Sequence, residues 1–102
     1  MSVDALVKLH EHGVDGAYIR RLSASGLKNL SADEMVKLRE HGVSPDLISN
    51  ARDAGYTELS ADDLVKLQEH GIDGHYLRRL YAGGLKNLSV EQLVKLHDHG
   101  VD

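Results

Sequence analysis

The sequence predicts an all-α protein, a tandem stack of αα-hairpins about seven short helices long. Three observations predict it. Ser2, Ser31, Ser60 and Ser89 open the same phrase at a spacing of 29 residues. Each full phrase carries a helix start and a helix stop twice over. And no single helix pair built from it can bury both of its faces, so neighbours must stack into a continuous core, as in a solenoid. The phrases divide one repeat domain, 1–102, into units 2–30, 31–59 and 60–88 with a closing half repeat at 89–102.

Every unit opens as Ser-x-(Asp/Glu)-x-(Leu/Met)-Val-Lys-Leu-x-(Glu/Asp)-His-Gly-(Val/Ile). The first helix begins at Ser2 and exits through the apolar pair Leu9 and Val14. The second is capped by Asp15, stapled by Val14 and Ile19, and stopped by Gly26. The third opens on Ser31, with Glu34 completing a capping box and Leu30–Met35 at staple spacing. It ends at Gly42, and Val43 is placed to touch Leu38 as a Schellman motif requires. Ser44 caps the fourth helix, Pro45 takes the first helical position, where its missing N–H costs nothing, and Gly55 ends it. The fifth repeats the pattern with Ser60, Leu59–Leu64 and Leu67–Ile72. The sixth uses Asp73, Ile72–Leu77 and Gly84, and the seventh uses Ser89 with Leu88–Leu93. Helices of about ten residues are marginal alone, so seven caps worth roughly 1 kcal/mol each matter to them.

The apolar set of one unit is Leu6, Val7 and Leu9 with Ile19 and Leu22, and stacking joins such sets. Asp4–Lys8, Asp33–Lys37, Asp62–Lys66 and Glu91–Lys95 stand acid before base at i,i+4, the favourable order for pairs on an exposed helix face.

A longer period lies on top of the first. Units one and three share 21 of 29 positions, whereas units one and two share 12. The difference is concentrated in the second helix, so a 58-residue super-period is expected, with alternate second helices in different surroundings. One arrangement that satisfies this is a stack whose successive pairs turn in opposite senses. Gly16 and Gly74 occupy a helix start where a stronger helix former would do better, and a close approach by a neighbouring helix would explain them.

Ser-Ala-Asp-Asp-Leu-Val-Lys-Leu-Gln-Glu-His-Gly-Ile, followed by Asp-Gly-His-Tyr-Leu-Arg-Arg-Leu, resembles short tandem helical repeats of bacterial proteins, including some beside membrane metallopeptidases of the BlaR type. The resemblance covers the whole chain as repeats. The His-Glu-x-x-His motif is missing, so the resemblance implies no peptidase activity. The near-identical units, their alternation and the stop after half a repeat are still more similar to a designed α-solenoid assembled from such fragments, of the kind whose alternating interfaces remove the superhelical coil.

Chemistry is sparse. His12, His41, His70 and His99 share one repeat position at the end of the first helix. Helices pack about 8–10 Å apart and zinc–nitrogen bonds are about 2 Å, so a polar helix-end role is favoured over a row of metal ligands. His10–His12 and His97–His99 point apart at i,i+2, which leaves His70 with His75 as the one local pair to trace. Gly-Val-Ser-Pro-Asp-Leu-Ile loosely resembles a helix-hairpin-helix turn, but Asp15, Ser44 or Asp73 stands where a second glycine would offer N–H groups to a phosphate. Arg20–Arg21 and Arg78–Arg79 add local positive charge within a formal total of −4, and there is no Trp, Phe or Cys. That composition weighs against nucleic acid and thiolate chemistry. Tyr76 and Tyr81 with His75 make unit three richer than its neighbours, as seam-filling tyrosines or as a partner contact.

No catalytic, cofactor-binding or metal-binding residue is assigned, and no cofactor is expected. The expected function is a structural repeat scaffold without enzymatic activity. Its alternatives are a protein- or peptide-binding repeat module and weak nucleic-acid recognition. No partner is required, no membrane span is encoded, and the unmodified first and last helices make end-to-end self-association an expectation. The opening Met-Ser-Val-Asp-Ala-Leu-Val-Lys lacks the features of a signal peptide, so a soluble chain is expected, cytoplasmic if expressed in a cell, with its location otherwise unassigned.

Overall fold

Nine-residue helices recur along the chain in the computed structural model, which describes residues 2–27 and 29–101. Among the described residues there are seven and no strand: α1 (Val3–Glu11), α2 (Gly16–Ala24), α3 (Ala32–Glu40), α4 (Pro45–Asp53), α5 (Ala61–Glu69), α6 (Gly74–Ala82) and α7 (Val90–Asp98).

Each helix starts where its cap dictates. Ser2, Asp15, Ser31, Ser44, Ser60, Asp73 and Ser89 all have extended backbone, and each side chain accepts a hydrogen bond from the N–H three residues on. Glu34, Asp63 and Gln92 complete the box by accepting from the backbone N–H of Ser31, Ser60 and Ser89. The first helices end in Schellman closures: Val14, Val43 and Ile72 donate to Leu9, Leu38 and Leu67 at 2.8–2.9 Å. The glycine before each donor, Gly42 for example at φ +70°, is left-handed, a conformation that costs a residue with a Cβ. Replacing one cap is therefore felt. Ser60→Ala should cost about 1 kcal/mol in a urea titration, because it frees the Asp63 N–H that the hydroxyl accepts from.

The helices lie in two rows. α1, α3, α5 and α7 pack in succession along one, and α2, α4 and α6 along the other, in a body of 45 × 22 × 17 Å. The core runs between the rows, with Leu9, Leu22, Leu38, Leu64, Leu67, Ile72, Leu77 and Leu93 all but sealed from solvent. Leu6 and Val7 depart from the expected apolar set, since they remain 51% and 49% exposed. Their counterparts Met35 and Val36 are 7% and 6% exposed. Met35 lies beside Ile19, Leu22 and Leu30 of the preceding unit, and among the described residues no unit covers α1 in this way.

The two rows differ in regularity. Contacts along the first row vary less from step to step, while in the second row α4 packs far more extensively on α6 than α2 does on α4. Two local features coincide with this alternation. A Cβ on Gly74 would lie only 2.3–2.7 Å from atoms of the Asn50 side chain, so α4 sits directly on the start of α6. At Gly16 the same Cβ would meet only Arg20 Nη1 of its own helix, at 3.3 Å. The expected close approach is thus present at Gly74 and absent at Gly16. The connections between units alternate as well. Asn29 and Asn87 are left-handed, at φ 61° and 56°, whereas Glu58 at the matching position of unit two is not. Asparagine tolerates that conformation better than other side-chain-bearing residues, so the turn into the next unit uses a left-handed Asn in two places and a Glu without positive φ in the third.

Candidate functional site

The residues that could carry chemistry are used at the junctions between units. Lys8 and Lys37 donate to Asp33 and Asp62 of the following unit, and Lys66 Nζ lies 3.6 Å from Glu91 Oε1. The lysines were expected to pair with the acid four residues earlier on their own helix. They reach across to the next helix of the row instead, and the pairing ties two units together. Lys8 holds the Asp33 carboxyl below its usual range, first through the hydrogen bond and second through its charge. These side chains are largely exposed, so each pair is worth little on its own.

The repeated histidines form a second ladder beside the first. His12 Nδ1 faces Glu40 at 3.7 Å, His41 faces Glu69 at 3.2 Å, and His70 faces Asp98 at 3.8 Å. Each histidine occupies the C-cap of its helix, as expected, but turns its ring to the next unit's carboxylate. His70 is therefore directed at Asp98, and the pair with His75 does not form a site: among the described residues no group of three or more His, Asp or Glu side chains is arranged to hold a metal ion.

Tyrosine does what the sequence only partly disclosed. Tyr18 is buried, and its hydroxyl donates to the carbonyl of Val43 in the next unit at 2.8 Å, with the Arg39 guanidinium 5.4 Å from the ring centre. Tyr76 repeats this one super-period later. Its hydroxyl donates to the carbonyl of Val101, and His97 meets its ring edge-on at 5.0 Å. In unit two the position belongs to Leu47, which has no hydroxyl to donate. Tyr56 makes a different crossing, accepting from the N–H of Leu88 at 3.3 Å. Tyr81, by contrast, is 41% exposed, with Lys86 Nζ 4.9 Å over its ring. Tyr76 thus fills a seam and Tyr81 does not. The signal for Tyr18 lay in the sequence, since tyrosine recurs at a 58-residue spacing on an apolar helix face.

Burial raises the Tyr18 hydroxyl above its ordinary pKa, against the opposing charges of Arg39 and Arg21. A raised pKa in the folded state means that stability is intact below the ordinary tyrosine range near 10 and falls as pH rises through the higher folded value. Denaturation midpoints should accordingly hold up to about pH 10 and drop above it. Phenolate absorbance should show a late-titrating component that Tyr18→Phe removes, and its persistence in that variant would assign it elsewhere.

The turn that loosely resembles a helix-hairpin-helix has its N–H groups occupied. Asp15 and Asp73 accept from Tyr18 and Tyr76 at 2.8 and 2.9 Å, and Ser44 accepts from Leu47 at 3.2 Å. Two of these three starts present a carboxylate where a phosphate would need positive potential. Arg20, Arg21 and Arg78 are solvent-exposed, and Arg79 lies 5.8 Å over the Tyr76 ring.

The concave surfaces are shallow. One of about 130 Å³ lies between α2 and α4, beside Leu27, Ile48 and Tyr56, with Arg52 covering Gly26. Another, of about 400 Å³, lies on the outer side of α7 among Leu85, Leu88, Leu96, Gln92, Lys95 and His99. Among the described residues no helix is long and apolar enough to cross a membrane. No protein-family model, no curated protein and no solved structure matches the chain.

Proposed function

We propose that the chain is a structural scaffold, an α-solenoid that folds by stacking units and displays a helical surface, with no catalytic activity. The observation that carries this reading is how the polar side chains are spent. At each of three junctions a lysine and a histidine of one unit turn to carboxylates of the next, so the repeated groups serve cohesion between units. A catalytic site would need unlike groups converging once on one point. Near-identity of units one and three, together with a second helix that alternates, supports an engineered origin from bacterial-type tandem repeats.

The test is affinity capture with the chain immobilised, followed by titration against duplex DNA at low and high salt. A scaffold should retain no stoichiometric partner and show no salt-sensitive DNA binding. A reproducible one-to-one partner would replace this reading with an interaction module, and tight salt-dependent binding would replace it with nucleic-acid recognition.

A further inference from the structure

We infer that two copies of the 102-residue chain associate head to tail, α7 of one against α1 of the next, by reusing the junction that already holds the first row together. The inference goes beyond the scaffold reading and does not depend on it, because it follows from the row's own packing.

Both halves of that junction stand open at the ends of the row. At each internal step the following first helix brings a valine to the junction, Val36, Val65 or Val94, and Val65 lies beside Lys37 and His41 of the helix before it. On α1 that valine is Val7, 49% exposed, with Val3 one turn before it at 74%. On α7 the complementary surface is the apolar groove that includes Leu96. Leu96 is half-buried, whereas its counterparts Leu9, Leu38 and Leu67 are at most 1% exposed.

Charge selects the partner and its direction. Lys95 and His99 hold the positions of Lys8, Lys37 and Lys66 and of His12, His41 and His70, which reach forward to acids. Asp4 and Glu11 hold the positions of the acids that receive them. All four are exposed, and none is ion-paired with another described residue. A head-to-tail contact brings Lys95 to Asp4 and His99 to Glu11. Either symmetric contact, tail to tail or head to head, would set like groups against each other, which opposes it. The occupant that fits is therefore a second copy in the same direction, and because such a contact is heterologous it leaves a free end for a third.

Sedimentation equilibrium across concentration tests this. A contact through one row is small, so association is expected in the range of about 0.1–1 mM. The weight-average mass should rise there past two chains without a plateau. Asp4→Lys and Lys95→Glu, both on exposed positions, should each remain at one chain mass over the same range. Mixed in equal amounts they should regain the wild-type mass, since each supplies the charge the other now needs at both of its ends. Val7→Glu, with helicity checked by circular dichroism, should also stay monomeric. A wild-type mass fixed at one chain at about 1 mM would overturn the inference. So would a plateau at two chains that survives either charge reversal, or a mixture that stays monomeric.

Discussion

Leu67→Ala is expected to destabilise the fold by about 2–5 kcal/mol, the loss typical of a buried leucine removed from a closed site. Leu67 has no exposed surface and lies in the middle of the first row, with α3 and α7 on either side of its helix and the second row beneath. Nothing can move in to fill the cavity without separating two junctions at once. Its backbone carbonyl also receives the N–H of Ile72 that closes α5, so a shift at this residue disturbs the helix end too. Leu6→Ala at the open end, where half the side chain already meets water, should change stability by less than about 1 kcal/mol. Urea titrations of the two variants measure the contrast. Equal losses would mean that burial does not increase from the end of the row to its middle.

Gly74→Ala and Gly16→Ala should move stability in opposite directions, although the two residues occupy the same place in the super-period. At Gly74 the new methyl would fall within 2.7 Å of Asn50 Cβ and Cγ. Those atoms are close to the α4 backbone and cannot swing clear, so the helices must part, at a cost of about 1–3 kcal/mol. At Gly16 the methyl would meet only the tip of the Arg20 side chain at 3.3 Å, which can rotate away. There the gain in helix propensity and the stiffer unfolded chain should stabilise by about 0.4–1 kcal/mol. Thermal melts of the two variants, read against the parent, check the signs. A loss at both positions, or a gain at both, would contradict the assignment of the contrast to Asn50, which stands against Gly74 and has no counterpart at Gly16.

Much of this was legible in the sequence because short helices must declare their ends. Ser31, Glu34 and Gly42 act through backbone groups a few residues away, so their consequences follow from local spacing. The 58-residue super-period was legible for the same reason, as a plain recurrence of residues. What was not legible depends on where the next helix lies. Lys37 has acceptable carboxylates at Asp33 and at Asp62, and only the geometry of the row decides for Asp62. Leu6 and Met35 occupy the same place in their phrases, yet Leu6 is half exposed while Met35 lies against the unit before it. Asn29 and Asn87 carried a signal that went unread, since a non-glycine residue at positive φ leaves no mark in the sequence beyond its identity. The glycine pair was readable as an explanation in search of a neighbour, and only Gly74 had one.

The central claim is that units cohere through neighbour contacts that alternate every 58 residues. Two lengthened chains test it most directly, one with a second copy of residues 31–88 inserted after residue 88, the other with a second copy of 31–59 inserted after residue 59. The first preserves the alternation and adds complete junctions, so its urea midpoint and its m-value should both exceed those of the parent. The second places two unit-two helices side by side, with Pro45 where the Asn50 side chain needs a glycine, and its midpoint should fall below that of the 58-residue insertion. Equal midpoints for the two insertions, or a lower midpoint for the 58-residue insertion than for the parent, would contradict the claim.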